Sequence, residues 1–289
     1  VYLLSVLHEL NRLVPLVSPA GTPYNGGYQI HVKDNVMKSD KAKLLELTLD
    51  IGRALLENGA ETYRVEESIS RIMTAYGVSK TEVFAIPACI ITSISDDAEN
   101  LTKVERITQR STNLDRVTRL SNLSRLICET KPDMHTIRME LDRIMAQPTY
   151  PFFLQMAAFM LVASAFTVVL GGDIRAGLAA ALCGLCTKPV IDLLVRFQTN
   201  VFFTNIIGGA LIAAIALVAA RFGLSSQVDL IIIGTLMNLV PGVAITNSMR
   251  DIIAGDFVSG LTKLTEAVII AVAIALGTGL TFTVVNHLL

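Results

Sequence analysis

The chain's architecture turns on Met237-Asn238-Leu239-Val240-Pro241-Gly242-Val243-Ala244-Ile245-Thr246-Asn247-Ser248-Met249-Arg250-Asp251, followed by Gly255-Asp256 and Gly260. It is the second half of an apolar run that opens at Leu230. A helix of about 20 residues is roughly 30 Å long, the depth of one bilayer core. Pro241 removes a backbone donor and crowds the preceding turn, and Gly242 removes side-chain restraint. Polar backbone groups freed in mid-membrane are tolerated only where they face protein or a watery cavity. Asn238, Thr246, Asn247, Arg250 and Asp251 cluster around and below the break. Thr246 and Arg250, like Asn247 and Asp251, are four apart and share a helix face. One reading is a kinked span that runs into an ordinary charged loop. The sharper one is a broken helix lining a transport site.

Outward from this stretch, charge is unevenly distributed. After Pro151 the chain holds six basic and six acidic residues, against eighteen and nineteen before it. A charged half therefore precedes a membrane half. The net charge of −1 gives no reason to expect a nucleic-acid partner. The four cysteines, Cys89, Cys128, Cys183 and Cys186, do not make a secreted disulfide framework. Cys183 and Cys186 form a C-x-x-C, but within an Ala- and Gly-rich apolar span where small residues serve packing.

Residues 1–36 read as an uncertain leader. They are apolar at first but broken by His8, Glu9, Asn11 and Arg12, and Met37 is a candidate natural start. Residues 37–148 read as a small α+β domain. Helices are expected over 39–58, with Leu44, Leu47, Ile51 and Leu55 inward, and over 61–76, each stopped by a glycine, Gly59 and Gly77. Three short strands follow, 82–86, 89–94 and 102–108, with Pro87 dividing the first two and a turn at 96–100. Helices over 114–128 and 134–145 complete the domain, which is long enough for a modest core. Pro148 and Pro151 mark its boundary with the membrane domain, 149–289. Spans are expected near 151–170, 176–196, 201–220, 229–249 and 264–286.

The expected fold is thus an α-helical multi-pass membrane protein of five transmembrane helices with an N-terminal cytoplasmic α+β domain. Arg196, Arg250 and Lys263 then fall in inside loops, Arg175 and Arg221 in outside ones. This bias favours a cytoplasmic N-terminal domain and an external C-terminus in the cell membrane. Lys188 and Asp192 lie inside the second span, where a lone charge costs roughly 2.5–3.5 kcal/mol. Four apart, they can pair, with Lys188 snorkelling to the cytoplasmic face; the alternative is a substrate or ion role.

Three motifs, Asn58-Gly59-Ala60-Glu61-Thr62-Tyr63-Arg64-Val65-Glu66, Asn113-Leu114-Asp115-Arg116, and Val240-Pro241-Gly242 with Asn247, Arg250-Asp251, Gly255-Asp256 and Gly260, resemble the threonine/serine exporter family. The resemblance covers about residues 40–287 and is strongest to the longer subunit of the family's split form. It implies export of small polar metabolites: threonine and serine in the fused branch, dicarboxylates such as succinate in the split one. It also implies a short second membrane subunit as partner, since the fused form carries a second set of spans after the fifth. Assembly with further copies of the chain is the other expectation. The family's N-terminal domain has been compared with hydrolases. Here His135 is the domain's one histidine, and neither a G-x-S-x-G elbow nor a metal-ligand spacing occurs, so neither an enzyme nor a cofactor is expected.

The residues fit carboxylate export. Arg250 is a planar, permanently charged fork suited to carboxylate capture, and Asn238, Thr246 and Asn247 supply neutral hydrogen bonds. A half-helix after Pro241-Gly242 would direct free N–H groups at an anion. Asp251, Asp256 and Glu266 are proton-relay candidates, their simpler role being helix-end electrostatics or pairing with Arg250 and Lys263. With Gly59, the charged opening Glu61, Arg64 and Glu66 reads as local ion pairing. The alternative is a gate or docking surface beneath the bundle. The competing functions are a membrane-anchored hydrolase-like enzyme and a non-transporting regulatory or assembly subunit. An anchor needs neither five spans nor a polar Pro-Gly break.

Overall fold

Helix α1 (Val32–Glu57) buries a broad apolar face that includes Leu44, Leu45, Ile51 and Leu55. It crosses helix α2 (Thr62–Ala75) at Gly52, where a Cβ would lie 2.7 Å from Ile69 Cδ1, so the two backbones meet at a residue without a side chain. Strands β1 (Lys80–Ile86), β2 (Cys89–Asp96) and β3 (Glu99–Arg106) form an antiparallel sheet in the order β1-β2-β3. Ile86 pairs with Cys89 across a tight turn at Pro87 and Ala88. The strand period of two puts Ala85, Ile90 and Ile94 into the core and leaves Phe84 and Val104 exposed. Helices α3 (Leu114–Thr130) and α4 (Met134–Ala146) close this core with Leu120, Ile127, Ile137 and Leu141.

In this computed structural model residues 32–96, 99–148 and 150–288 are described, with the backbone alone for 32–39, 96, 99 and 286–288. The leader reading therefore lies outside the described residues, apart from helical backbone from Val32 onward. Of the turn expected at 96–100, residues 97 and 98 also lie outside them. Residues 40–289 form one compact unit, so the α+β portion from Asp40 onward and the apolar helices belong together.

The apolar helices are α5 (Phe152–Val169), α6 (Ile174–Arg196), α7 (Val201–Arg221), α8 (Val228–Leu236), α9 (Gly242–Ala254) and α10 (Phe257–Leu288). Among the described residues four of them, α5, α6, α7 and α10, are long and apolar enough to cross a membrane. Their shared interior is built from small side chains, Ala163, Ala176, Ala179, Ala180, Cys183, Ala213 and Ala216, around Ile212 and Ile231. With lipid as apolar as the helices, close backbone approach is the main source of association. The tightest contact is between α7 and α10: a Cβ on Gly277 would sit 2.0 Å from the Ile206 carbonyl oxygen, and one on Gly209 2.7 Å from that of Ile274. Cys183 is buried in this packing and Cys186 faces outward.

Two expectations change. The run 229–249 is not one helix. The residue before a proline is driven out of the α region, and here the last turn of α8 tightens, Leu239 N–H donating to the Leu236 carbonyl at 2.8 Å. The chain then turns through 237–241 into α9, and neither piece is long enough to span by itself. Helix α10 begins at Phe257, not near 264, and its 32 residues measure about 48 Å, well beyond a bilayer core.

The α7–α10 contact makes a direct test. Gly277→Ala should lower the melting temperature of the solubilised protein, an overpacking cost of about 1–3 kcal/mol. Gly279→Ala, where a Cβ meets nothing within 4 Å, should not. Equal melting curves would show that the close approach does not hold the two helices.

Candidate functional site

The loop between α1 and α2 is clamped by α9. Gly59 adopts φ +91°, a left-handed conformation that ends α1 and that only glycine adopts without strain. Its carbonyl accepts from Asn247 Nδ2 at 3.0 Å. The N-cap residue of α2, Glu61, makes no capping bond with its own side chain. The cap comes from elsewhere in the chain: Thr62 N–H donates to Asp251 Oδ1 at 3.2 Å, and Thr62 Oγ1 donates to Oδ2 at 3.3 Å. A carboxylate there also meets the positive end of the helix dipole. Asp251 is wholly buried, and Lys263 of α10 donates to its Oδ2 at 2.7 Å and to Thr62 Oγ1 at 3.2 Å. Arg250 bonds Glu61, whose second oxygen holds Arg64 Nε at 3.2 Å. The charged opening of α2 is therefore both locally paired and docked on α9.

A second set of bonds continues from this clamp. Glu66 Oε1 accepts from Ala85 N–H at 2.7 Å, and Ser259 Oγ donates to the Ala85 carbonyl at 3.3 Å, joining β1 to the start of α10. Burial pushes the Glu66 carboxyl upward, opposed by that backbone bond and reinforced by Asp256 and Asp251. Asp256 is raised by burial first and then by the Asp251 charge, with Lys263 pulling the other way. Gly255, at φ +99°, ends α9 and lets the chain reverse. Gly260 permits α9 and α10 to touch, since a Cβ there would lie 2.8 Å from the Ser248 carbonyl oxygen.

The remaining singled-out residues separate. Asn238 Nδ2 donates to the Phe159 carbonyl of α5 at 3.3 Å and to Thr235 O at 3.2 Å, satisfying backbone next to the break. Thr246 is exposed and returns its hydroxyl to Gly242 and Val243 of its own helix. Gly242 has open space around it, so no close approach demands a glycine there. Lys188 and Asp192 pair at 2.6 Å within α6, the ammonium 5.6 Å from the Phe159 ring centroid. Glu266 is exposed on α10 and pairs with Arg110 of the β3–α3 loop at 3.0 Å. Asn113 caps α3 by accepting from Arg116 N–H at 3.0 Å, while the Arg116 guanidinium donates to the Met145 and Gln147 carbonyls at the end of α4.

A cleft of about 270 Å³ opens where these parts meet. Pro241, Val243, Ala244 and Asn247 line it from α9, Lys263 and Glu266 from α10, and Arg110 with the 59–60 and 111–112 backbone from the α+β portion. The Pro241 break thus stands at the α+β end of the bundle and not at mid-span. The reason is the docking of α9: residues 247–251 must reach the 59–62 loop, so the chain leaves the bundle before them. The first turn of α9 carries no side-chain cap and faces this cleft. A wider groove of about 720 Å³, running between α7 and α10, shares Arg110, Val201, Glu266 and Ile270 with it. Thr62, Ser259 and Arg110 were not singled out by sequence. Thr62 lies far from α9 and α10 in the chain, Arg110 is in a loop without periodicity, and Ser259, within α10, bonds a strand 174 residues away, so no spacing joins them.

The clamp predicts a large asymmetry. Asp251→Ala leaves Lys263 buried without its partner and should destabilise by about 3–5 kcal/mol. Asp251→Ala with Lys263→Met should recover much of that loss, read by thermal unfolding of the solubilised protein. A negligible effect of the single substitution would show that the pair is not what holds α9. Asp256 gives a pH signature. With its folded pKa above the ordinary 3.8, its stabilising share is full below that value and is lost as pH rises through the raised pKa. Asp256→Asn should flatten this fall in melting temperature, and an unchanged profile would assign it to other groups.

Comparison with known proteins follows the same boundaries. The family model for the threonine/serine exporter, ThrE, matches residues 46–285. The chain is similar to the "Probable threonine/serine exporter" of Mycobacterium tuberculosis, 25% identical over 242 residues, covering 81% of this chain and 45% of that protein. It is similar to the "Threonine/serine exporter" of Corynebacterium glutamicum, 25% identical over 250 residues, 84% of this chain and 51% of that one. It therefore spans about half the length of these two relatives. It is also similar to the "Probable succinate transporter subunit YjjP" of Klebsiella aerogenes, 21% identical over 255 residues, 85% of this chain and 95% of that one. No solved structure matches. With the broken segment and most of the α+β portion and of α10 inside the matched range, the chain belongs to the threonine/serine exporter family.

Proposed function

We propose that this chain is a subunit of a secondary transporter that exports small carboxylate-bearing metabolites, amino acids such as threonine and serine or dicarboxylates such as succinate. The observation that carries this reading is the cleft at the Pro241 break, where an uncapped helix start, Lys263, Arg110, Glu266 and Asn247 converge. A small carboxylate suits the first turn of α9, whose amide groups and dipole favour an anion. Arg250, held by Glu61, is the less suitable partner, so carboxylate capture passes to Arg110 and Lys263. Each is already paired, and a substrate enters by exchange with Glu266 or Asp251. Among the relay candidates, Asp256 combines a raised pKa with proximity to Asp251 and Lys263, which suits proton uptake nearer neutral pH.

In this reading the chain crosses the bilayer five times. Helix α8 and the 237–241 turn make one short crossing, α9 lies at the membrane surface, and the α+β domain sits in the cytoplasm. The contacts support the alternation. Thr199 and Asn200 before α7 line one groove with Arg110 of the α+β portion, and Asp251 near the end of α9 bonds Thr62, while Asp173 N–H donates to Gln227 Oε1, joining the two loops at the other helix ends. The name "subunit" carried by one relative supports a second, short membrane subunit as partner, and a homo-oligomer is the other assembly consistent with it.

Two measurements test this. In a cysteine-free background, Phe222→Cys should react with an impermeant thiol reagent in intact cells and Phe197→Cys only after permeabilisation. The reverse pattern would invert the topology. In liposomes holding the chain and a short partner subunit, Arg110→Gln and Pro241→Ala should each cut export of labelled threonine or succinate about tenfold, a loss of ~1.4 kcal/mol of transition-state stabilisation. Wild-type rates in both variants would remove the cleft from the pathway.

A further inference from the structure

Away from the membrane junction, α2 and α3 line a third cavity, of about 300 Å³. Helical spacing presents Arg64 and Ser68 from α2, and Ser121, Ser124, Arg125 and Glu129 from α3. Ser68 and Ser124 are buried. Ser121 Oγ is also buried and has no hydrogen-bond partner among the described residues. Thr118 and Thr130 of the same helix return their hydroxyls to the carbonyl four residues back, but Ser121 does not. Arg125 and Glu129 form no ion pair with each other or with another described residue, whereas Arg64 is held by Glu61. Arg125 is exposed, one helical turn beyond Ser121 on the same face of α3. Buried donors are normally satisfied, so the orphan Ser121 hydroxyl at the wall of a polar cavity points to an absent acceptor.

We propose that this cavity binds a small carboxylate, with Arg125 and Ser121 as its principal donors. A carboxylate has two oxygens and accepts from a guanidinium and a hydroxyl at once. The Ser68 and Ser124 hydroxyls add further donors at the cavity wall. Glu129, one helical turn beyond Arg125, distinguishes the two sources of such a group: it accepts from the ammonium of an amino acid and repels the second carboxylate of a dicarboxylate. The site is separate from the cleft at Pro241 and does not depend on its role in export. Arg64 connects the two, since it lines this cavity and holds Glu61, which in turn holds Arg250 of α9.

The test is calorimetric titration of the full purified chain with L-threonine, with succinate, and with propylamine as a probe lacking a carboxylate. One carboxylate probe should bind and propylamine should not. Arg125→Gln should weaken that binding about tenfold or more and Ser121→Ala measurably, with melting temperatures near wild type. Loss of threonine binding in Glu129→Gln would identify the amino-acid source, and stronger succinate binding in that variant the dicarboxylate one. The titrations are repeated in an Arg110→Gln background, which weakens the export cleft: a binding signal that survives there and is lost on adding Arg125→Gln belongs to this site, and one lost with Arg110→Gln alone belongs to the cleft and overturns the proposal. The proposal is overturned if neither carboxylate binds at roughly 10 mM, or if binding is equal in wild type, Arg125→Gln and Ser121→Ala.

Discussion

A buried carboxylate shared between a lysine and a helix N-terminus holds this molecule's two halves together. Asp251 gives up all contact with water, which is costly for an ion. Its compensation is complete: the Lys263 ammonium on one side, and the Thr62 N–H and hydroxyl on the other. Neither half could satisfy it alone. The α+β portion supplies the helix start, α9 the carboxylate and α10 the cation. Because the bonds are charge-assisted and directional, they fix orientation as well as proximity. Arg250 with Glu61, Asn247 with Gly59 and Ser259 with Ala85 then add rigidity around a register already set.

Much of this fold is legible in local patterns. Periods of 3.6 and 2 identify the α+β helices and strands, because each buries one face against a common core. Gly59 and Gly77 mark helix ends because both adopt positive φ. The apolar runs reveal α5, α6 and α7 nearly to the residue, since lipid leaves only a helix as an acceptable backbone. Pro241 announces a break but not its depth. Depth is set by where α9 docks, a contact between segments 189 residues apart that no local rule encodes. For the same reason Arg250 reads from sequence as a free carboxylate receptor, while in space Glu61 occupies it. Helix α10 starts earlier than the apolar run suggests because Lys263, a charge that argues against a span, belongs to its first turns, where it bonds Asp251 of α9.

The membrane half is held by shape more than by chemistry. Its interior consists of alanines and glycines whose worth lies in letting backbones approach, and a single methyl on Gly277 would collide with a carbonyl. The α+β half has larger aliphatic side chains in a conventional core. A set of polar contacts joins these two kinds of packing. A change in the tilt of α9 or α10 would strain that junction before it disturbed either interior, and the cleft at Pro241 lies on the same surface.

The cap on α2 also imposes an order on biosynthesis. Thr62 leaves the ribosome long before Asp251, and the residues between them include α5, α6, α7 and α8. At roughly 5–20 residues per second the start of α2 waits on the order of ten seconds or more for its cap. The α+β core can assemble in that interval, but its edge toward the membrane stays unfinished. It is completed only when the intervening helices have been threaded so that α9 emerges on the side where Thr62 waits. A nascent chain inserted with one helix too few or too many presents Asp251 to the opposite compartment and keeps both an uncapped helix and an unpaired lysine. The same few bonds that join the finished halves thus form only in a chain whose α9 lies on the side of Thr62.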